Sequence, residues 1–458
     1  MTQAYPVRVP LVTEPMSVWQ SLVAARRNVL EIIPDIATKQ PMVSGKTAIV
    51  RWHMVMDPGA LKRILRDEVD NYPKSDVTKN ILEPAIGNSL FIAEGAHWRW
   101  QRRAATPVFT HRNVANLAPI MSHAAGRSIE RLAQASGRAA DVFQEMVDTT
   151  FDVISDVTFS GDEGFDRDGV HNAIEAYVGQ TAKLSLMDIL GVPTWVPRPG
   201  RLISSNSMKE MRAIADGAID RRREVGPRPV PDLLDLLLEG EDPKTKRQMN
   251  TAELRDNLLT FIVAGHETTA LTLAWSLYLC AFDPAVQDKA RAEAQSVLQG
   301  RDVATMEDVP KLKYIRQIVD EALRLYPPAG FLSRTAQAPD TLCDREVRKG
   351  DTVTLPIYAL HRNALLWENP DAFDPDRFAD PKAIDRFAYL PFGDGPRICI
   401  GASFALQEAV IILASLLGRF KFTAIKGHDP KPVMIVTLRP EGGLWLDIED
   451  LKAGKAAA

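Results

Sequence analysis

The sequence predicts a mainly α-helical fold with a smaller β portion, and three observations carry that prediction. Most segments between residues 58 and 239 show helical periodicity, separated by polar or proline-rich loops. Residues 250–283 hold the longest helical pattern, about 32 residues or roughly 48 Å at the usual rise. Strand patterns are confined to short stretches near residues 47–56, 352–360 and 431–449.

Taken in order, TAIVRWHMVM at 47–56 alternates loosely between apolar and polar, as a half-buried strand does. Two loops rich in proline and glycine interrupt the helical region, GVPTWVPRPG at 191–200 and VGPRPVPD at 225–232. Such loops stop helices, and serve either as plain connectors or as the flanks of a mobile helix pair. Asn250 followed by Glu253 forms a capping-box pattern at the start of the long helix. Asp283-Pro284 opens the next helix, which ends near Gly300. Helical pattern resumes at 314–325 until Pro327-Pro328 stops it. TVTLPIYAL at 352–360, then PVMIVTL and GLWLDI near the C-terminus, read as strands.

Composition excludes several classes. The 458 residues are 45% hydrophobic and 25% charged, an ordinary globular balance. No linker divides the chain, so residues 1–458 are expected to form one domain. Lys and Arg number 55 against 59 Asp and Glu, a net charge of −4, which gives no electrostatic case for nucleic acid. Three cysteines, Cys280, Cys343 and Cys399, lack CxxC spacing and fit neither a disulfide framework nor a four-cysteine zinc site. The N-terminus lacks a signal-peptide pattern. No stretch reaches the run of uninterrupted apolar residues that a membrane span needs, because GHETT breaks the nearest, 258–282. A soluble, cytoplasmic, monomeric protein is expected.

One stretch stands apart: PFGDGPRICIG, 391–401, puts Cys399 in a turn-rich loop just before the helical run from Ala402 to Phe420. Glycines 393, 395 and 401 allow backbone conformations closed to other residues and close approach to a flat ligand. A helix N-terminus stabilises an anion, so the Cys399 thiol is expected to be lowered towards thiolate. That thiolate has three uses. Zinc wants further Cys or His nearby, and none is present. A nucleophile wants a base, and only a spatial neighbour could supply one. A single thiolate preceded by an arginine fits haem, whose iron takes one protein ligand and whose propionates want cations.

Phe392, Gly395, Arg397, Cys399 and Gly401 match the FxxGxRxCxG signature in all five places, and the sequence here resembles the cytochrome P-450 haem-thiolate monooxygenases. The resemblance implies the fold of that family, with the long central helix crossing over haem b and Cys399 as axial ligand. Phe392, Gly393 and Gly401 would then lie against the cofactor. Three further regions match in the same order along the chain. Glu321 and Arg324 resemble the ExxR motif, with Arg377 of FDPDRF as third partner in a structural network. AGHETT at 264–269 resembles the oxygen-binding groove, with Ala264 and Gly265 against the cofactor and Glu267 and Thr268 as its acid–alcohol pair. Gly265 has two available reasons, a ligand's approach or tight helix packing, and His266 reads as a plain helix residue. Trp98 and Arg102 resemble WxxxR, which binds a haem propionate, with Arg397, Arg334 and His361 as further cofactor candidates.

The chemistry so implied delivers two protons to dioxygen so that the O–O bond breaks heterolytically. Thr268 would hold water and the oxygen, and Glu267 would relay protons from solvent. The pocket is expected to be apolar: Phe261, Ala264 and Thr272 share the face of Thr268, and the resemblance adds Leu90, Phe91, Ala329 and Phe331. The substrate is expected to be hydrophobic, a lipid or a terpenoid or aromatic compound, hydroxylated at C–H with one atom of O2. Residues 191–200 are assigned to a lid. The resemblance also implies electrons from NAD(P)H through a separate ferredoxin-type donor, with neither a microsomal-type anchor nor a fused reductase expected. Arg102, Arg103 and Arg112 are candidates for a basic docking face. A peroxygenase, a haem-based gas sensor or carrier, and a haem-free helical protein are the alternatives.

Overall fold

A computed structural model describes residues 5–47, 50–159, 169, 170, 172 and 205–452. Capping explains where its helices begin. Helix α1 (Val18–Arg27) starts at Ser17, whose side chain and that of Gln20 satisfy each other's backbone N–H groups. A strand pair follows, β1 (Met42–Thr47) and β2 (Val50–Val55), antiparallel in register Met42↔Val55. The single strand expected at 47–56 is thus the second arm of a hairpin that begins earlier. Serine, glycine and lysine in β1 blur its alternation.

Helices α2 (Pro58–Lys62), α3 (Asp76–Ile86), α4 (Gly95–Ala105), α5 (His111–Gln134) and α6 (Val142–Phe159) come next, interrupted only by the short β3 (Ala139–Asp141). Helices α7 (Ser205–Val225) and α8 (Leu233–Glu239) are joined by the proline loop at 225–232. That loop is tied down: the buried Arg222 guanidinium reaches Asp232 at 2.9 Å and Asp235 at 2.7 Å. The loop at 191–200, assigned above to a lid, lies outside the described residues.

Helix α9 (Thr251–Phe282) has the capping box expected of it, Asn250 and Glu253 bonding reciprocally. It is apolar on nearly every side, as befits a helix in the middle of the core. Helix α6 packs along it, and the Thr150 hydroxyl donates to the His266 carbonyl at 2.7 Å. Asp283 caps α10 (Pro284–Leu298), and α11 (Lys313–Leu325) ends just before Pro327. Strands β4 (Leu332–Thr335), β5 (Asp340–Leu342), β6 (Arg345–Val347) and β7 (Thr352–Leu355) follow. The strand expected to run to residue 360 stops at Leu355, because Pro356 caps the short helix α12 (Ile357–Leu360). Strand β7 pairs parallel with β2 and antiparallel with β4, giving a sheet of order β1-β2-β7-β4.

Helix α13 (Ala402–Arg419) begins two residues after the loop's Ile400 and packs against α5, α9 and α10. Among the described residues it is the one single helix long and apolar enough to cross a membrane; most of it is buried in the core. The chain closes with β8 (Phe420–Ala424), β9 (Lys431–Met434), β10 (Leu438–Glu441) and β11 (Trp445–Asp450). Strands β3, β11 and β8 form one sheet, and β9 pairs with β10. The β9–β10 pair is anchored at both arms. Asn28 bonds Pro432 and Met434, and the Trp275 indole donates to the Leu438 carbonyl at 3.0 Å.

Candidate active site

The cysteine loop is shaped by its glycines and held from three sides. Gly393 and Gly395 have φ of +68° and +73°, and a Cβ at Gly395 would sit 2.0 Å from the Leu65 carbonyl oxygen. Asp394 is clasped by Arg66 at 2.6 Å and by Arg386. The Cys399 N–H donates to the Phe392 carbonyl at 2.9 Å, and the Leu390 N–H donates to His361 Nε2 at 2.9 Å.

Cys399 keeps an open surface although protein surrounds it on the other sides. The expectation of a lowered thiol is corrected here. Burial pushes the Cys399 thiol up, outweighing the Gly401 N–H and the Arg102 charge that pull it down. At Gly401, by contrast, an added Cβ would meet no protein atom within 4 Å. The protein itself gives no reason for a glycine there; an occupant of the space beside it does.

His361 departs from its expected role. It is fully buried, with Nδ1 towards the Arg324 carbonyl at 3.2 Å and Nε2 accepting from Leu390. Both ring nitrogens serve the backbone, so neither is left for a cofactor. Burial and the neighbouring Arg324 hold its imidazole down at about 3. It is a structural link between α11 and the cysteine loop. The ExxR pair lies beside it. Glu321 and Arg324 are fully buried, with Arg324 Nε 2.6 Å from the carboxylate and its other donors on the carbonyls of His361, Pro370 and Ala372. Arg377 completes the network at 3.5 Å from Glu321.

A cluster of cations gathers at the other side of the loop. The Arg397 guanidinium stacks on the Trp98 ring and pairs with Glu94. Beside it lie Arg334 and Lys74, and Arg102 projects from α4 towards Cys399. Among the described residues Lys74, Arg102 and Arg334 make no ion pair. Burial, with the Arg397 charge beside it, pulls Lys74 down to about 7 and Arg334 down to about 10. With Glu94 as the one carboxylate paired with it among the described residues, this cluster carries excess positive charge, so it is suited to carboxylates brought by a ligand. Haem b, with one iron position for a thiolate and two propionates, fits this donor set.

On α9, Ala264 is exposed and Thr268 half-exposed, although nearly all their neighbours on the helix are buried. The Thr268 hydroxyl donates to the Ala264 carbonyl at 2.7 Å. Gly265 does not face this space. An added Cβ there would press on Ile154 of α6 at 3.2 Å, so its glycine serves helix packing rather than the cofactor. Glu267 points to the start of β10: Thr437, just before the strand, donates to it at 2.9 Å and Arg439 pairs with it. Of the expected pocket residues, Leu90 and Phe261 are buried, and Ala329 and Phe331 half-buried. Phe91 is exposed, its ring 4.1 Å from Lys74 Nζ, which places it at the rim beside the cations.

The three arginines expected to form a docking face do not share one. Arg102 turns inward, Arg103 is held by Asp242 at 2.6 Å, and of the three Arg112 alone is exposed. Lys74, Glu94, Thr437 and Arg439 were not foreseen. They belong to no contiguous motif.

Comparison with known proteins agrees with this geometry. The cytochrome P450 family model matches residues 10–446. The chain is 30% identical over 432 residues to cyclooctat-9-en-7-ol 5-monooxygenase of Streptomyces melanosporofaciens, covering 93% of this chain and 90% of that protein. It is 32% identical over 410 residues to a putative cytochrome P450 132 of Mycobacterium tuberculosis, covering 86% and 87%. The crystal structure of the cytochrome P450DA heme domain superposes with a TM-score of 0.80 at 28% identity, covering 90% of each chain. The fold and site thus define a haem-thiolate oxidoreductase. The chain belongs to the cytochrome P450 family: it is a monooxygenase whose cofactor is haem b, bound through a cysteine thiolate.

Proposed function

We propose that Cys399 is the axial thiolate and that the enzyme hydroxylates C–H bonds of a hydrophobic organic substrate. Electrons come from NAD(P)H through ferredoxin reductase and a ferredoxin-type donor, and the protein works as a cytoplasmic monomer. The observation that carries this reading is the open surface at Ala264 and Thr268 on a helix most of whose residues are buried, together with the exposed Cys399. Haem, when bound, supplies the activation of dioxygen. The chain's own groups do the rest. Arg397, Trp98, Arg102, Arg334 and Lys74 would hold the propionates, and Gly401 would let the ring come close. Phe261, Leu90, Ala329 and Phe331 keep the substrate side dry, which strengthens every polar contact within it. Thr268 holds a water in reach of the reacting oxygen, and Glu267 supplies its proton.

The experiment is a Thr268→Ala variant of the haem-loaded enzyme, supplied with NAD(P)H, ferredoxin and reductase. NAD(P)H consumption should continue while most of it is diverted to hydrogen peroxide. Full product yield would remove the hydroxyl from the mechanism. Spin-state shifts across a panel of fatty acids, terpenoids and aromatics would identify the substrate class.

A further inference from the structure

We propose that Arg439 on β10, together with Thr437 just before that strand, is the positioning residue that fixes where the Glu267 carboxyl points and thereby gates proton delivery towards Thr268. This deepens the acid–alcohol reading above and rests on it.

Thr437 ends the bend before β10 and Arg439 is the strand's second residue; both meet Glu267, while Leu438 between them turns into the core. Leu438 is fully buried, its N–H on the Pro328 carbonyl and its carbonyl under the Trp275 indole, both at 3.0 Å. The two polar side chains therefore stand on a segment pinned to α9 and to the turn after α11. On the helix, adjacent residues open about 100° apart, so Glu267 and Thr268 do not face the same way. Thr268 is half-exposed, on the helix face it shares with Ala264. Glu267, only 7% exposed, opens to the strand. Arg439 is 30% exposed and lies between that carboxylate and solvent.

An arginine cannot give up its own proton, so Arg439 is no relay. It holds the Glu267 side chain towards the strand and away from Thr268. When the pair loosens, a hydronium gives its proton to Glu267 and is left as water. The acid then passes that proton to a water hydrogen-bonded at Thr268. The carboxylate, restored, pairs again with Arg439, and no electron moves in either transfer.

The test uses the full-length haem-loaded enzyme with a surrogate ferredoxin and reductase, in four variants: Arg439→Leu, Arg439→Lys, Thr437→Val and Glu267→Gln. Arg439→Leu should lower product formed per NAD(P)H about tenfold, within the range that one proton-transfer group contributes. Peroxide should make up the difference, and the solvent deuterium isotope effect should grow. Arg439→Lys should restore coupling, while substrate dissociation and haem content stay constant throughout, which a structural role would not allow. Thr437→Val should uncouple more mildly and keeps the test decisive where Arg439→Leu fails to fold. Wild-type coupling in both Arg439→Leu and Thr437→Val, with Glu267→Gln uncoupled, would overturn the gate and leave the acid's role standing. Wild-type coupling in Glu267→Gln would overturn that role first.

Discussion

The Arg397 guanidinium lies 4.4 Å from the centre of the Trp98 ring, so the two motifs that carry these residues, 299 positions apart (397 − 98), meet in one contact. A cation over a desolvated indole is worth about 2 kcal/mol. Trp98→Ala should cost haem binding about that much, roughly thirtyfold in affinity. Trp98→Phe should lose less. Haem-to-protein ratio after dialysis against apomyoglobin measures both.

Gly395 and Gly401 should respond differently to alanine. At Gly395 the methyl would collide with the Leu65 carbonyl in a left-handed backbone, so Gly395→Ala should destabilise even the apoprotein, by about 1–3 kcal/mol. Gly401→Ala meets no protein atom and should leave apoprotein unfolding unchanged while weakening haem retention. Parallel denaturation of apo and haem-loaded protein separates the two.

Arg324 neutralises a fully buried carboxylate. Arg324→Leu leaves Glu321 with the Asp374 N–H and, as its one remaining cation, the more distant Arg377, and should cost about 3–5 kcal/mol in denaturant unfolding. Replacing both partners, Glu321→Leu with Arg324→Met, should cost less than the single change, because no charge is then left alone.

His361 imposes a pH dependence on stability. Its folded-state imidazole is held at about 3, below the 6.5 of an unfolded chain. The unfolded state therefore binds the proton first, and the stabilisation is complete above 6.5. It is lost progressively as pH falls towards 3. His361→Gln should unfold more easily at neutral pH but show a flatter decline on acidification, read from denaturation midpoints across that window.

Much of the site was legible because its parts are contiguous. Cys399 and its glycines fall in eleven residues, the ExxR pair spans one helical turn, and capping boxes announce α9 in four letters. What escaped depends on contacts between distant segments. Whether Gly265 answers to a ligand or to Ile154 depends on which helix lies alongside. The thiol expectation reversed because burial is a property of the whole surrounding, whereas a helix N-terminus is local. His361 looked available from sequence since nothing there shows that Arg324 and Leu390 claim its nitrogens. Strands β4 to β6 run three or four residues, too few to establish a period of two.

Lys74, Arg334 and Arg397 repel one another at close range, with a single glutamate paired against them. A chain built this way leaves the ribosome with a debt of negative charge that only an imported pigment settles. The amount of finished protein a host accumulates should therefore follow its tetrapyrrole supply. Feeding cultures 5-aminolevulinate should raise the yield of folded chains, and not merely the coloured fraction of them.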